Sequence, residues 1–116
     1  MDIRIVVGGI QDREDELIVV NLFEGVQTPG GATGAVDQAL GGAIREAIAA
    51  GDLRGKRGEV TVFYPRGTVP ATRVAVVGLG AQEAFSLQAI REAAATAAKK
   101  ARELGVRSFS SIVHGA

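Results

Sequence analysis

The chain has 116 residues, 47% of them hydrophobic and 22% charged, with thirteen basic side chains balancing thirteen acidic ones. That is one domain's length, a composition too apolar for a disordered chain, and a charge balance without the basic excess typical of nucleic-acid binding. Cys is absent, which excludes disulfides, thiolate metal sites and a Cys nucleophile; no apolar run is long enough to cross a membrane, the start does not look like a secretory leader, and the expected location is the cytoplasm.

Ile3 to Val7 is a short β-branched run closed by Gly8-Gly9, which predicts a strand. Gln11 to Glu16 is a polar, acidic connection. Leu17 to Leu22 (LIVVNL) is apolar on both faces, typical of a central strand buried by helices on each side. A turn-rich stretch leads to a helix starting near Thr33 or Gly34 and ending at Gly51. Within it Val36, Leu40, Ile44 and Ile48 recur every four residues and form one apolar stripe. Gly41 and Gly42 fall inside this helix, each at about 1 kcal/mol relative to Ala, offset by close packing.

Residues 52–58 (DLRGKRG) form a basic, glycine-rich connection. Glu59 to Tyr64 is a strand stopped by Pro65, Arg66 to Ala71 is a tight reversal, and Arg73 to Leu79 is a second buried strand. Ser86 is placed to cap a second helix, with Leu87, Ile90, Ala94, Ala97, Ala101 and Leu104 as its buried face and Gly105 as its stop. Ser108 to Val113 is the last strand. The order β-β-α-β-β-α-β predicts a three-layer α/β/α fold over a mixed, mostly parallel sheet. The sequence stops directly after a buried-type strand, so the sheet is expected to be partly open there, for a missing C-terminal piece or a partner to cover.

Patterns that carry chemistry are few. His114 is the one His, no metal-ligand spacing occurs, and the consecutive Glu14, Asp15 and Glu16 cannot all point inward, so they read as a solvated acidic run. Ser108, Ser110 and Ser111 lie along a strand with His114 the one available base, and a working Ser–His pair is not expected. GGATGA (residues 30–35) has the parts of an anion cradle: glycines, backbone N–H groups and a helix start. It is neither a Walker A loop nor the dinucleotide fingerprint. Asn21, Gly30, Gly31, Gly34 and Ala35 are the candidate ligand loop, beside the plainer reading of a turn that lets a helix pack closely. Gly78 and Gly80 carry the same two readings, and Arg54, Lys56 and Arg57 read as a solvated loop.

The stretches LIVVNLFEGVQTPGGATGAVDQALGGAI, GDLRGKRGE, VTVFYPRG, RVAVVGLGAQEAFSLQAIREAAATAAKKARELGV and SIVHGA together resemble the N-terminal domain of the leucyl aminopeptidases, the cytosol aminopeptidase family. The resemblance spans nearly the whole chain. It implies a macro-domain-like fold, with residues 1–116 forming one such domain that lacks its final helix and strand. It also implies a separate C-terminal catalytic domain holding two divalent metal ions, zinc or manganese, and a hexameric enzyme that the N-terminal domain helps to assemble. None of the family's catalytic or metal-binding motifs occurs in this sequence. The chain is therefore expected to be a non-catalytic assembly domain, partnered by the catalytic domain and by further copies, with no nucleic acid and no membrane.

The stretch from Asn21 to Ala35 also resembles the ADP-ribose-binding macro domain, which implies an alternative role in binding ADP-ribose or a nucleotide through the candidate loop. Three features depart from that pattern. Gly9 stands where an adenine-reading acid is expected, Glu24 stands where a second Asn is expected and would repel a diphosphate, and the later phosphate loop would begin only at His114-Gly115.

Overall fold

The computed structural model describes residues 1–114. Five strands, β1 (Asp2–Val6), β2 (Leu17–Phe23), β3 (Val60–Phe63), β4 (Arg73–Gly80) and β5 (Ser108–Ile112), form a single sheet in the order β1-β5-β2-β4-β3. All neighbours run parallel except β3, which is antiparallel to β4. The helices are α1 (Gly31–Ala39), α2 (Ala43–Ala50) and α3 (Leu87–Leu104), with short 3-10 turns at Ile10–Asp12 and Gln82–Ala84.

Successive side chains of a strand point to opposite faces, so apolar runs need cover on both. Ile18, Val20 and Leu22 of β2 join Val74 and Val76 of β4 against Val36 of α1, Ile44 of α2 and Ile10. Leu17 and Val19, with Ala75, Val77 and Leu79, face the other way and pack against α3. This is the expected mixed, mostly parallel three-layer arrangement.

Three details differ from the sequence expectation. The helix expected to run unbroken to Gly51 is two helices. Gly41 (φ 69°) and Gly42 (φ 89°) adopt the left-handed conformation that side chains disfavour. They make a corner and are not tolerated breaks within a helix. Asp37, buried at the end of α1, reaches across that corner: its Oδ1 accepts the N–H groups of Ile44 (2.8 Å) and Arg45 (3.1 Å), and its Oδ2 pairs with Arg45 Nε at 2.6 Å. Asp37 thus does for α2 what an N-cap side chain does, because the N-cap residue itself is Gly42.

The buried row of α3 is Ala89, Ala93, Ala97 and Ala101 at i, i+4 spacing, whereas Leu87 is 61% exposed and Ala94 is exposed. The sequence pattern places Leu87 and Ala94 on the buried face, and the structure does not. Small side chains let the helix axis approach the sheet, so the alanine row wins over the stripe with larger residues. Ser86 caps α3 as expected, its Oγ accepting the Ala89 N–H at 3.2 Å.

The last strand is not the open margin. β5 lies inside the sheet between β1 and β2, with Phe109, Ser110 and Ser111 buried. On β1, at the margin, two large apolar side chains are exposed, Ile3 at 52% and Ile5 at 62%.

Candidate functional site

The C-terminal ends of β2 and β5 face the N-terminus of α1 across a cleft of about 300 Å³. Crevices beyond the carboxyl ends of parallel strands are the usual place for ligands in such sheets. Val6, Leu22, Phe23, Val26, Ile112 and Val113 give apolar walls, and Asn21, Gly30, Gly31 and Thr33 give a polar edge. Of the candidate loop, Asn21, Gly30 and Gly31 line the cleft, while Gly34 and Ala35 lie beyond its lining in α1. Gly34 has a packing reason: a Cβ there would stand 2.7 Å from the Pro29 carbonyl oxygen. The N-cap residue of α1 is Gly30, which offers no capping side chain, so the first-turn N–H groups have no intrahelical acceptor. The Thr33 hydroxyl donates to the Asn21 carbonyl at 2.6 Å and ties the loop to β2. Glu24 is exposed and outside the cleft lining, so its charge is hydrated and does not point at a bound anion. Gly9 is an exposed turn residue with φ 64°. Gly115 of the later loop lies outside the described residues.

Asn21 meets His114, a contact the sequence reading did not anticipate. The Asn21 Nδ2 lies 3.1 Å from His114 Nδ1, and the His114 Nε2 lies 3.5 Å from Ser111 Oγ. No local pattern announces it: the contact follows from β2 and β5 being adjacent and parallel, so that Asn21 and the residues past Ile112 reach the same end of the sheet. An amide nitrogen only donates, so Nδ1 accepts and the ring proton sits on Nε2, toward Ser111. The Ser111 hydroxyl in turn donates to the Ile112 carbonyl at 2.9 Å. Donors and acceptors all run one way. His114 has no lone pair facing the serine, so the pair cannot activate Ser111 as a nucleophile. Burial also pushes the His114 pKa below its ordinary value, keeping the imidazole neutral.

The acidic run splits on folding. Asp15 is buried, accepts the Ser110 hydroxyl at 2.5 Å and Arg13 Nε at 3.1 Å, and lies 3.8 Å from Arg4. Burial raises its pKa, but the hydrogen bonds from Ser110 and Arg13 and the charges of Arg13 and Arg4 outweigh it and hold the carboxyl below its usual value. Glu14 is exposed, and Glu16 turns to Arg107. Among the described residues no three His, Cys, Asp or Glu side chains gather as a metal site. The side chains present therefore do not fit the paired metal ions that the resemblance assigns to another domain.

The second glycine pair resolves to packing. Gly78 N–H donates to the Glu59 carbonyl (2.8 Å) and Gly80 N–H to the Gly55 carbonyl (2.9 Å), so neither amide is free for an anion. The Glu59 carboxylate accepts the N–H groups of Arg54 and Gly55, and Arg57 pairs with Glu92 of α3 at 2.6 Å. The basic connection is a structural clasp over the end of β4.

Residues 19–113 match the N-terminal domain of the cytosol aminopeptidase family. The chain belongs to that family. The chain is 32% identical over 113 residues to a probable cytosol aminopeptidase of Roseiflexus castenholzii, covering 97% of the chain and 21% of that protein. The chain thus spans about a fifth of the length of that relative. Tomato leucine aminopeptidase superposes with a TM-score of 0.73 at 18% identity, over 99% of this chain and 23% of that one. The macrodomain of Mycobacterium tuberculosis DarG superposes with a TM-score of 0.73 at 16% identity, over 97% of this chain and 78% of that one. At such identities the likeness is one of fold, and the fold of this N-terminal domain is macrodomain-like. No helix among its described residues is long and apolar enough to cross a membrane.

Proposed function

We propose that this N-terminal domain carries no peptidase chemistry of its own and serves the assembly of a larger cytoplasmic enzyme. In that reading its partners are a C-terminal catalytic domain, with its two zinc or manganese ions, and further copies of the chain. Residues 1–116 are then one macro-like unit that a further helix and strand would complete. The observation that carries the reading is the use made of the polar groups. His114 is joined to Asn21 of β2 and Asp15 to Ser110 of β5, so these polar groups fasten one part of the fold to another, while Met1, Ile3 and Ile5 leave an apolar face exposed along β1. The chain is expected to release no leucine from leucine anilides with added manganese or zinc. Activity that a chelator abolishes would overturn this. Light scattering is expected to show self-association that rises with concentration.

A second reading is supported by the cleft. Gly30 and Gly31 present no side chain, the first-turn amides of α1 are uncapped, and Glu24 stands clear. Such a site suits a phosphate-bearing ligand of the ADP-ribose or nucleotide class, through Asn21, Gly30 and Gly31, with Gly34 and Ala35 shaping the helix behind them. Calorimetry with ADP-ribose separates the readings. Micromolar binding would place ligand recognition first, and no heat at millimolar ligand would remove it.

A further inference from the structure

β1 lies at the margin of the sheet, with β5 on one side and no strand among the described residues on the other. Asp2 N–H donates to the Arg107 carbonyl at 2.9 Å, and Asp2 pairs with Ser108. Backbone groups alternate in direction along a strand, so Asp2, Arg4 and Val6 turn theirs toward β5, and Ile3 and Ile5 turn theirs outward. The side chains divide as well. Met1, Ile3 and Ile5 share one face and are 54%, 52% and 62% exposed. Asp2 and Arg4 occupy the other. An unpaired edge with an uncovered apolar face is what monomeric proteins usually blunt.

We propose that the edge is covered by a second copy of this chain, pairing β1 with β1 antiparallel about a two-fold axis centred on Ile3. The proposal rests on the assembly reading above and gives it a surface. A pairing that uses the outward backbone groups must set odd residues opposite odd residues. Centred on Asp2 it puts two carboxylates face to face, and centred on Arg4 two guanidinium groups. Centred on Ile5 it sets Arg4 against Val6 and makes no ion pair. Centred on Ile3 it places Asp2 of each copy opposite Arg4 of the other, twice. Opposite charges directly across a strand pair stabilise and like charges destabilise. Those two pairs fall at the non-hydrogen-bonded positions, where side chains approach more closely. Ile3 meets Ile3 and Ile5 meets Met1, so the apolar faces join into one strip. The contact is isologous and closes on itself. β3, the other margin, has four residues and is followed by Tyr64 and Pro65, which limits further addition. A strand of five residues makes an interface at the small end of the range, so the dimer should be concentration-dependent.

Sedimentation of the chain over a range of concentrations tests this, with circular dichroism to confirm folding. A reversible dimer is expected. Ile3→Pro removes a donor that faces away from β5 and should abolish dimerisation without unfolding the chain. Asp2→Arg and Arg4→Asp should each weaken self-association by at least about tenfold. Mixing the two charge variants restores both ion pairs, so a heterodimer should form where neither variant pairs with itself. Association that survives all three substitutions, or a folded mixture that stays monomeric, would overturn this pairing and leave assembly to another surface. A wild-type chain that stays monomeric even at about 1 mM would overturn both the pairing and self-assembly.

Discussion

A methyl group added at Gly78 would stand 1.9 Å from the Lys56 carbonyl oxygen and 2.7 Å from the Gly55 carbonyl carbon. Both are backbone atoms, held in place by the bonds from Gly78 N–H and Gly80 N–H that bind the clasp to β4. No side chain can swing aside to make room. Gly78→Ala should therefore lower unfolding free energy by about 3 kcal/mol or more, measured by urea denaturation. A loss below about 1 kcal/mol would mean that the clasp can move away from β4. Arg66 offers the opposite case. It is the one non-glycine residue described with positive φ (57°), and with Gly67 (φ 93°) it forms the reversal between β3 and β4. Asn occupies that conformation more readily than Arg. Arg66→Asn should raise stability by about 0.5–1 kcal/mol in the same assay, and a loss would show that the Arg66 side chain makes a contact worth more than the backbone strain.

At the scale of elements, strands were the most legible feature. LIVVNL and RVAVVGL carry apolar residues on both faces, and a strand covered on each side uses such a run. The helix corner was not legible, because Val36, Leu40, Ile44 and Ile48 keep a helical period straight through Gly41 and Gly42. Period alone cannot separate a glycine tolerated in a helix from one that ends it. What decides is Asp37, whose carboxylate serves amides seven and eight residues ahead. Local capping rules look three residues ahead and so miss it. The cleft was half legible: GGATGA announced a helix start after a strand, but the meeting of Asn21 with His114 depends on strand order, which no local pattern encodes. Asp37→Ala would leave the Ile44 and Arg45 amides without their acceptor and remove the partner of Arg45. A destabilisation of about 2 kcal/mol is expected in urea. Asp37→Asn should lose less, since its amide oxygen can still accept. Equal losses would indicate that the ion pair with Arg45, not the capping, holds the corner.

Over the whole molecule, β5 is fastened by two titratable groups whose ordinary pKa values, 6.5 and 3.8, lie apart. Past its C-terminal end His114 is joined to Asn21 of β2, and within it Ser110 is joined to Asp15. Burial depresses the folded-state pKa of His114 below its ordinary value of 6.5, so between the two values the unfolded chain binds the proton and the folded chain does not. Stability therefore has its full His114 contribution above pH 6.5 and loses it as pH falls toward the depressed value. Asp15 is also depressed, from an ordinary value of 3.8, because the bonds from Ser110 and Arg13 outweigh its burial. Its contribution is full above pH 3.8 and is lost only as pH falls through the folded value. Unfolding free energy measured against pH should thus fall in two steps. His114→Gln should remove the upper step and leave the lower, because Gln does not titrate and lies clear of Asp15. Asp15→Asn should do the reverse. A profile flat from neutral pH down to pH 3.8 would show that His114 keeps its ordinary affinity for protons, and so that the seam between β2 and β5 is open to water at that end.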